Sequence, residues 1–151
     1  MADPLSIVAG VISITGAAIQ VAKSLTDLAT SVKNAPTEIA AIQKEAQTFY
    51  NLILSLETSL KDPNIVAVVQ QDANMTRTVR DIKNPLDHCV DVLEKIEPKL
   101  RSHLKPTGDG NWRVSNMDVK WYFMKSDITG LLARLESRKA TLFGALHLVV
   151  L

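Results

Sequence analysis

Apolar side chains recur at steps of three and four along most of this chain, the period of an α-helix with one buried face. Ile39, Ile42, Ala46, Phe49, Ile53, Leu56 and Leu60 predict an amphipathic helix over about residues 36–60. Pro36 suits its first turn, with Glu38 near its positive end. Lys61-Asp-Pro-Asn stops it, and Ile65 to Val69 reads as the start of a third helical stretch. Val79, Ile82, Leu86, Cys89 or Val90, Leu93, Ile96, Leu100 and Leu104 continue the spacing. Pro85 after Asn84 marks a new helix or a kink, and Pro98 is expected to bend the chain. Lys105-Pro-Thr-Gly-Asp-Gly-Asn reads as a loop. Met117 to Lys125 is short, aromatic and helical in period, and Ser126-Asp127 reads as the cap of a last helix carrying Ile128, Leu131, Leu135, Leu142 and Leu146. That pattern reaches Leu151 without a stop signal, so the natural protein is expected to continue. No alternating strand pair is visible, and the breaks are short, so neighbouring helices are expected to be antiparallel. The predicted architecture is an all-α bundle of four to six helices, one domain over residues 1–151.

The N-terminus departs from this pattern. Pro4 to Ala22 is nineteen residues without a charge. A signal peptide is disfavoured, since the only early charge is the negative Asp3. Eighteen residues from Leu5 give roughly 27 Å as a helix, against a hydrocarbon core of about 30 Å. Leu5, Ile7, Val8, Val11, Ile12, Ile14, Ile19 and Val21 each gain about 0.3–0.6 kcal/mol at a bilayer centre. Ser6, Ser13, Thr15 and Gln20 oppose that gain, and Gly10 and Gly16 weaken the helix. Two readings stay open: a helix that enters a membrane, or a central helix of a soluble bundle covered on all sides by protein. Ala9, Ser13 and Ala17 recur every four positions and, with Gly10 and Gly16, form a narrow face suited to close helix packing in either medium.

Composition narrows the function classes. The 151 residues are 46% hydrophobic and 22% charged, ordinary for one globular domain that folds without disulfides or metal. A single cysteine excludes a disulfide scaffold, and a net charge of +1 gives no reason to expect nucleic-acid binding. His88, His103 and His147 stand in no metal-ligand spacing, Asp87-His88-Cys89 point in different directions on a helix, and Gly108-Asp-Gly lacks the Lys-Ser/Thr of a phosphate loop. No catalytic, metal or cofactor constellation is legible, and the chain is read as a non-enzyme. Charge is unevenly spread: residues 1–60 carry −2 and residues 77–139 carry +4. Lys95, Lys99, Arg101, Lys105, Arg113, Lys120 and Lys125 flank Trp112 and the Trp121-Tyr122-Phe123 run. Such a basic, aromatic end suits an anionic membrane surface, and it equally suits a solvated bundle end with the aromatics in the core.

The segments MADPLSIVAGVISITGAAIQVAKSLTDL, VKNAPTEIAAIQKEAQTFYNLILSL and KWYFMKSDITGLLARLESRKATLFGALHL together resemble the fungal N-terminal domain of STAND (NLR-like) proteins, the HeLo-like group. The resemblance is strongest at the ADPLSI start and in LESRKATL, and weakest between about Asp62 and Thr107. It implies a helical domain fused in cis to a nucleotide-binding oligomerisation domain or an amyloid signalling motif. It further implies a cell-death executioner that self-associates on activation, releases its N-terminal helix and relocates from cytoplasm to plasma membrane; the basic residues from Lys95 to Lys125 are expected to recruit anionic lipid there. Only the helix from Leu5 to Ala22 carries over as a functional element. A partner-binding bundle that keeps this helix buried is the rival expectation.

Overall fold

The structure is a computed structural model that describes residues 3–114 and 119–150, with the side chains of 119–123, 146 and 148–150 left aside. Five helices, α1 (Pro4–Thr30), α2 (Thr37–Lys61), α3 (Pro63–Gln71), α4 (Ala73–Arg101) and α5 (Val119–Val150), are joined by short turns and, between α4 and α5, by two short strands, β1 (Leu104–Pro106) and β2 (Trp112–Val114). The chain is all-α in class, as its periodicity predicts.

Helix starts follow local chemistry. The carboxylates of Asp62 and Asp72 accept the backbone N–H of Asn64 and Asn74, each at 2.9 Å, and so cap α3 and α4. Asp3 does the same for Leu5 at 3.4 Å, with Pro4 in the first turn of α1. Between α1 and α2, Asn34 takes a left-handed conformation (φ 52°), one that asparagine tolerates better than most residues.

The helices form a ring in which α1 packs on α2 and α4, while α5 packs on α4 and more thinly on α2. α1 and α4 lie side by side and run in the same direction, because both C-terminal ends reach the hairpin. The connection from α2 to α4 crosses the far end of the bundle, where α3 covers it against α1, α2 and α4. Ile39, Ile42, Phe49, Ile53, Leu56 and Leu60 of α2 and Val79, Ile82, Leu86, Leu93, Ile96 and Leu100 of α4 are fully buried. Each such side chain contributes about 1.5–3 kcal/mol of transfer free energy. Cys89 holds its seat on the α4 stripe while Val90 sits at the margin.

Three expectations need correction. α4 runs through Pro85 and Pro98 without a break, so no new helix starts at Pro85; buried Ile82, Leu86, Ile96 and Leu100 on either side anchor both turns. Ser126 and Asp127 lie inside α5, which already begins at Val119. The loop after Lys105 is the turn of a hairpin: Leu104 pairs with Val114, Lys105 with Arg113 and Pro106 with Trp112. Gly108 (φ 89°) and Gly110 (φ 85°) supply the left-handed positions this turn requires.

Candidate membrane-active helix and the hairpin that holds it

α1 is not the all-round buried helix that one reading expects. Only 28% of its most apolar eighteen-residue window is buried. Val8, Val11, Thr15, Ala18, Ala22, Leu25, Thr26, Leu28 and Ala29 form the buried stripe. Ile7, Ile12, Ile14, Ile19 and Val21 pack against its margins, and Leu5 is 50% exposed. Ala9, Gly10, Ser13 and Ala17 face outward, with Gly16 at the edge of that arc. A Cβ on Gly10 or Gly16 meets nothing within 4 Å, so among the described residues no other helix packs on the small-residue face there. The helix is long and apolar enough to cross a membrane by length and composition, and its polar side is replaced by small residues rather than by charges. The buried Thr15 hydroxyl donates to the Ile12 carbonyl at 2.6 Å, a bond inside the helix that holds in water or lipid alike.

The far end of α1 is tied to the hairpin. The Trp112 N–H donates to the Ser31 carbonyl at 2.9 Å, and the Lys33 N–H donates to the Trp112 carbonyl at 2.8 Å. Val32 and Trp112 thereby form a parallel β-bridge. The opposite pair explains why Trp112 is available. Thr107 N–H bonds the Asn111 carbonyl at 3.0 Å, so by alternation Trp112 turns its backbone polar groups away from Pro106 and toward α1. Side chains reinforce the contact. Lys33 Nζ pairs with Asp109, which also accepts from the Thr107 hydroxyl and, at 3.2 Å, from the Asn111 N–H. The Lys33 bond, then the Thr107 bond, hold the Asp109 carboxyl well below the usual carboxylate range. The Arg101 guanidinium lies 5.6 Å from the centroid of the Trp112 ring, within cation–π reach, and pairs with Glu97 at 3.0 Å.

Of the basic residues singled out in the sequence, those whose side chains are described (Lys95, Lys99, Arg101, Lys105, Arg113 and Lys125) lie toward this hairpin end. Several are already paired: Lys95 with Asp91 at 2.9 Å, Lys99 with Asp127 at 3.5 Å and Lys125 with Glu38 at 2.8 Å. The Lys125 hydrogen bond is the main reason the Glu38 carboxyl sits below its ordinary value. Lys105 and Arg113 face each other across the hairpin, both exposed. The side chains of Lys120, Trp121, Tyr122 and Phe123 lie outside those described. Leu5, at the start of α1, is at the opposite end of the bundle, some 26 residues or roughly 40 Å along the helix.

The remaining chemistry-bearing residues do not converge. Cys89 is buried and desolvation pushes its thiol up to about 12, against the opposing pull of Arg138 and Lys139, while Asp87 and His88 face solvent. Among the described residues no group of three His, Cys, Asp or Glu stands close enough to hold a metal ion. The residues that sequence reasoning missed are Ser31, Lys33 and Asp109. Asp109-Gly110 between Lys105-Pro106 and Trp112-Arg-Val is a hairpin signal that identifies the turn, though not its partner on α1.

A family model described as pigment biosynthesis cluster protein PigL N-terminal matches residues 2–151. No curated protein and no solved structure matches the chain.

Proposed function

The chain belongs to the pigment biosynthesis cluster protein PigL N-terminal family, a fungal N-terminal domain family, and from that premise we propose that it is a membrane-targeting, pore-forming cell-death domain whose α1 is the working element. In this reading the domain is non-enzymatic and rests in the cytoplasm, in cis with a nucleotide-binding or amyloid-motif domain. Self-association frees α1, which then enters the plasma membrane. The observation that carries the reading is the mismatch within α1: it is apolar enough to span a bilayer, yet only 28% of that stretch is buried. Leu5, Ile7, Val8, Val11, Ile12, Ile14 and Ile19 supply apolar insertion, while Ala9, Gly10, Ser13, Gly16 and Ala17 supply a face for helix-to-helix contact between copies. Lys105 and Arg113, with Lys95, Lys99, Arg101, Lys120 and Lys125, draw the hairpin end to anionic lipid at about 1 kcal/mol per charge near the surface.

The test is dye release from vesicles containing phosphatidylserine when the domain is forced to oligomerise. Release is expected, together with its loss in Ile12→Asp. A folded oligomer that releases no dye at any lipid composition overturns the proposal.

A second reading has its own support. Ala18, Ala22 and Leu25 are fully buried and the hairpin holds the end of α1, which favours an interaction bundle that never surrenders this helix. Under that reading Ile12→Asp changes stability or partner binding and vesicles stay intact.

A further inference from the structure

We infer that α1 is held as two unequal segments: the hairpin tethers its C-terminal half to the bundle, and Pro4–Thr15 is the part that detaches. The inference rests on the proposed release of α1 for its consequence at a membrane, whereas the order of opening is a property of the bundle in water.

Burial divides the helix. Before Gly16 only Val8, Val11 and Thr15 are buried; after it come Ala18, Ala22, Leu25, Thr26, Leu28 and Ala29, followed by Val32. Hydrogen bonding divides it in the same place. Among the described residues, those that tie α1 and its tail to other elements all lie at Ser24 or beyond: Ser24 Oγ to Glu97 of α4 at 3.0 Å, Gln43 of α2 to Thr30 at 2.9 Å, the two backbone bonds of Ser31 and Lys33 to Trp112, and the Lys33 ammonium to Asp109. The first half has one hydroxyl bond, from Thr15, and it is internal. Gly10 and Gly16 fall in or at the border of this half, with open space where a side chain would stand. Free energies of local opening follow buried contacts and hydrogen bonds, so the helix frays from Pro4 inward and stops where the contacts thicken.

The geometry then limits what a detached segment can do. Pro4–Thr15 is twelve residues, about 18 Å of helix, well short of a hydrocarbon core of about 30 Å. With Ala18–Ala29 still packed it can enter one leaflet or lie at the interface. Spanning the bilayer requires Ala18–Ala29 to leave the core as well.

Native-state hydrogen exchange on the intact chain in lipid-free buffer tests this. Amides of Ile7–Thr15, the first to bond within the helix, are expected to exchange about 100-fold faster than those of Ala18–Ala29. Uniform protection along α1 would overturn the inference. A disulfide across the bridge, Val32→Cys with Trp112→Cys, locks the tether, since residues paired in a β-bridge lie within disulfide reach and the Cys89 thiol is buried. Exchange of the first half is expected to match between oxidised and reduced forms of this variant within about two-fold. A marked slowing on oxidation shows that α1 opens as one unit and also overturns it. Should the double variant not fold, the exchange pattern of the unmodified chain decides alone. Fast exchange of the first half without dye release from phosphatidylserine vesicles supports the tether and overturns the membrane reading.

Discussion

The ammonium of Lys139 on α5 lies 2.9 Å from Glu45 Oε2 on α2 and 2.9 Å from Glu136 Oε2 one turn back on its own helix. Desolvation works against this charge, but the hydrogen bonds from Glu45 and Glu136 outweigh it and raise the Lys139 pKa. Together with the Lys125–Glu38 pair, this bridge is a main polar link between α2 and α5. Lys139→Met is expected to lower stability by about 1–2 kcal/mol in urea unfolding, and Glu45→Gln by a similar amount. The double variant should cost little more than either single one; additivity within about 0.3 kcal/mol means that the pair is not coupled.

Neighbouring positions on α1 should respond oppositely to charge. Val11 is buried at 1% exposure, so Val11→Asp places an unpaired carboxylate in the core and is expected to cost more than about 3 kcal/mol. Ala17 faces outward, so Ala17→Asp should change stability by less than about 0.5 kcal/mol. Equal losses at both sites would mean that α1 is enclosed.

Gly10→Ala and Gly16→Ala remove the helix penalty of glycine without meeting any neighbour within 4 Å. Each should stabilise the bundle by about 0.5–1 kcal/mol, read as a rise in Tm. A fall would show that the outward face of α1 has a neighbour in solution.

Stability should fall at both ends of the pH scale. Glu38 and Asp109 have folded pKa values lowered by their lysine partners, so their contribution is complete above the ordinary carboxylate range, about pH 4, and is lost as pH drops through the lowered values. Lys139 has a raised value, so its contribution is complete below about pH 10 and is lost as pH climbs through it. Glu38→Gln combined with Asp109→Asn should flatten the acid limb of denaturation midpoint against pH, and an unchanged limb would assign it to other carboxylates.

Much of the bundle was legible because a buried helix face writes itself as a local repeat. Every described apolar position of the α2 and α5 stripes is buried, and the Val79–Leu104 stripe is too, once Cys89 is chosen over Val90. Prolines misled, because an isolated Pro85 removes one hydrogen bond and adds a clash, a penalty of about 3 kcal/mol that burial of Ile82, Leu86 and Cys89 offsets. The hairpin's strands were illegible because each is only three residues long, too short for alternation to register, which leaves Asp109-Gly110 as its one local signal. Its tie to α1 was illegible for another reason: Lys33 and Asp109 are 76 positions apart, and no local pattern links them. For α1 itself, hydropathy identified the helix but could not say which side faced water, since alanine, glycine and serine serve either side.

The side-by-side, same-direction placement of α1 and α4 has a consequence during synthesis. The apolar helix leaves the ribosome before the elements that cover it, pairs with α2 as soon as that hairpin of helices is complete, and then waits. Its second wall, α4, ends at Arg101, and the strand that secures its tail ends at Val114. At typical elongation rates of about 5–20 residues per second, some fifty residues separate the end of α2 from that point, or several seconds. For that interval the most hydrophobic segment of the chain is half-covered, so the cell's chaperones and membranes meet it before its own fold has closed.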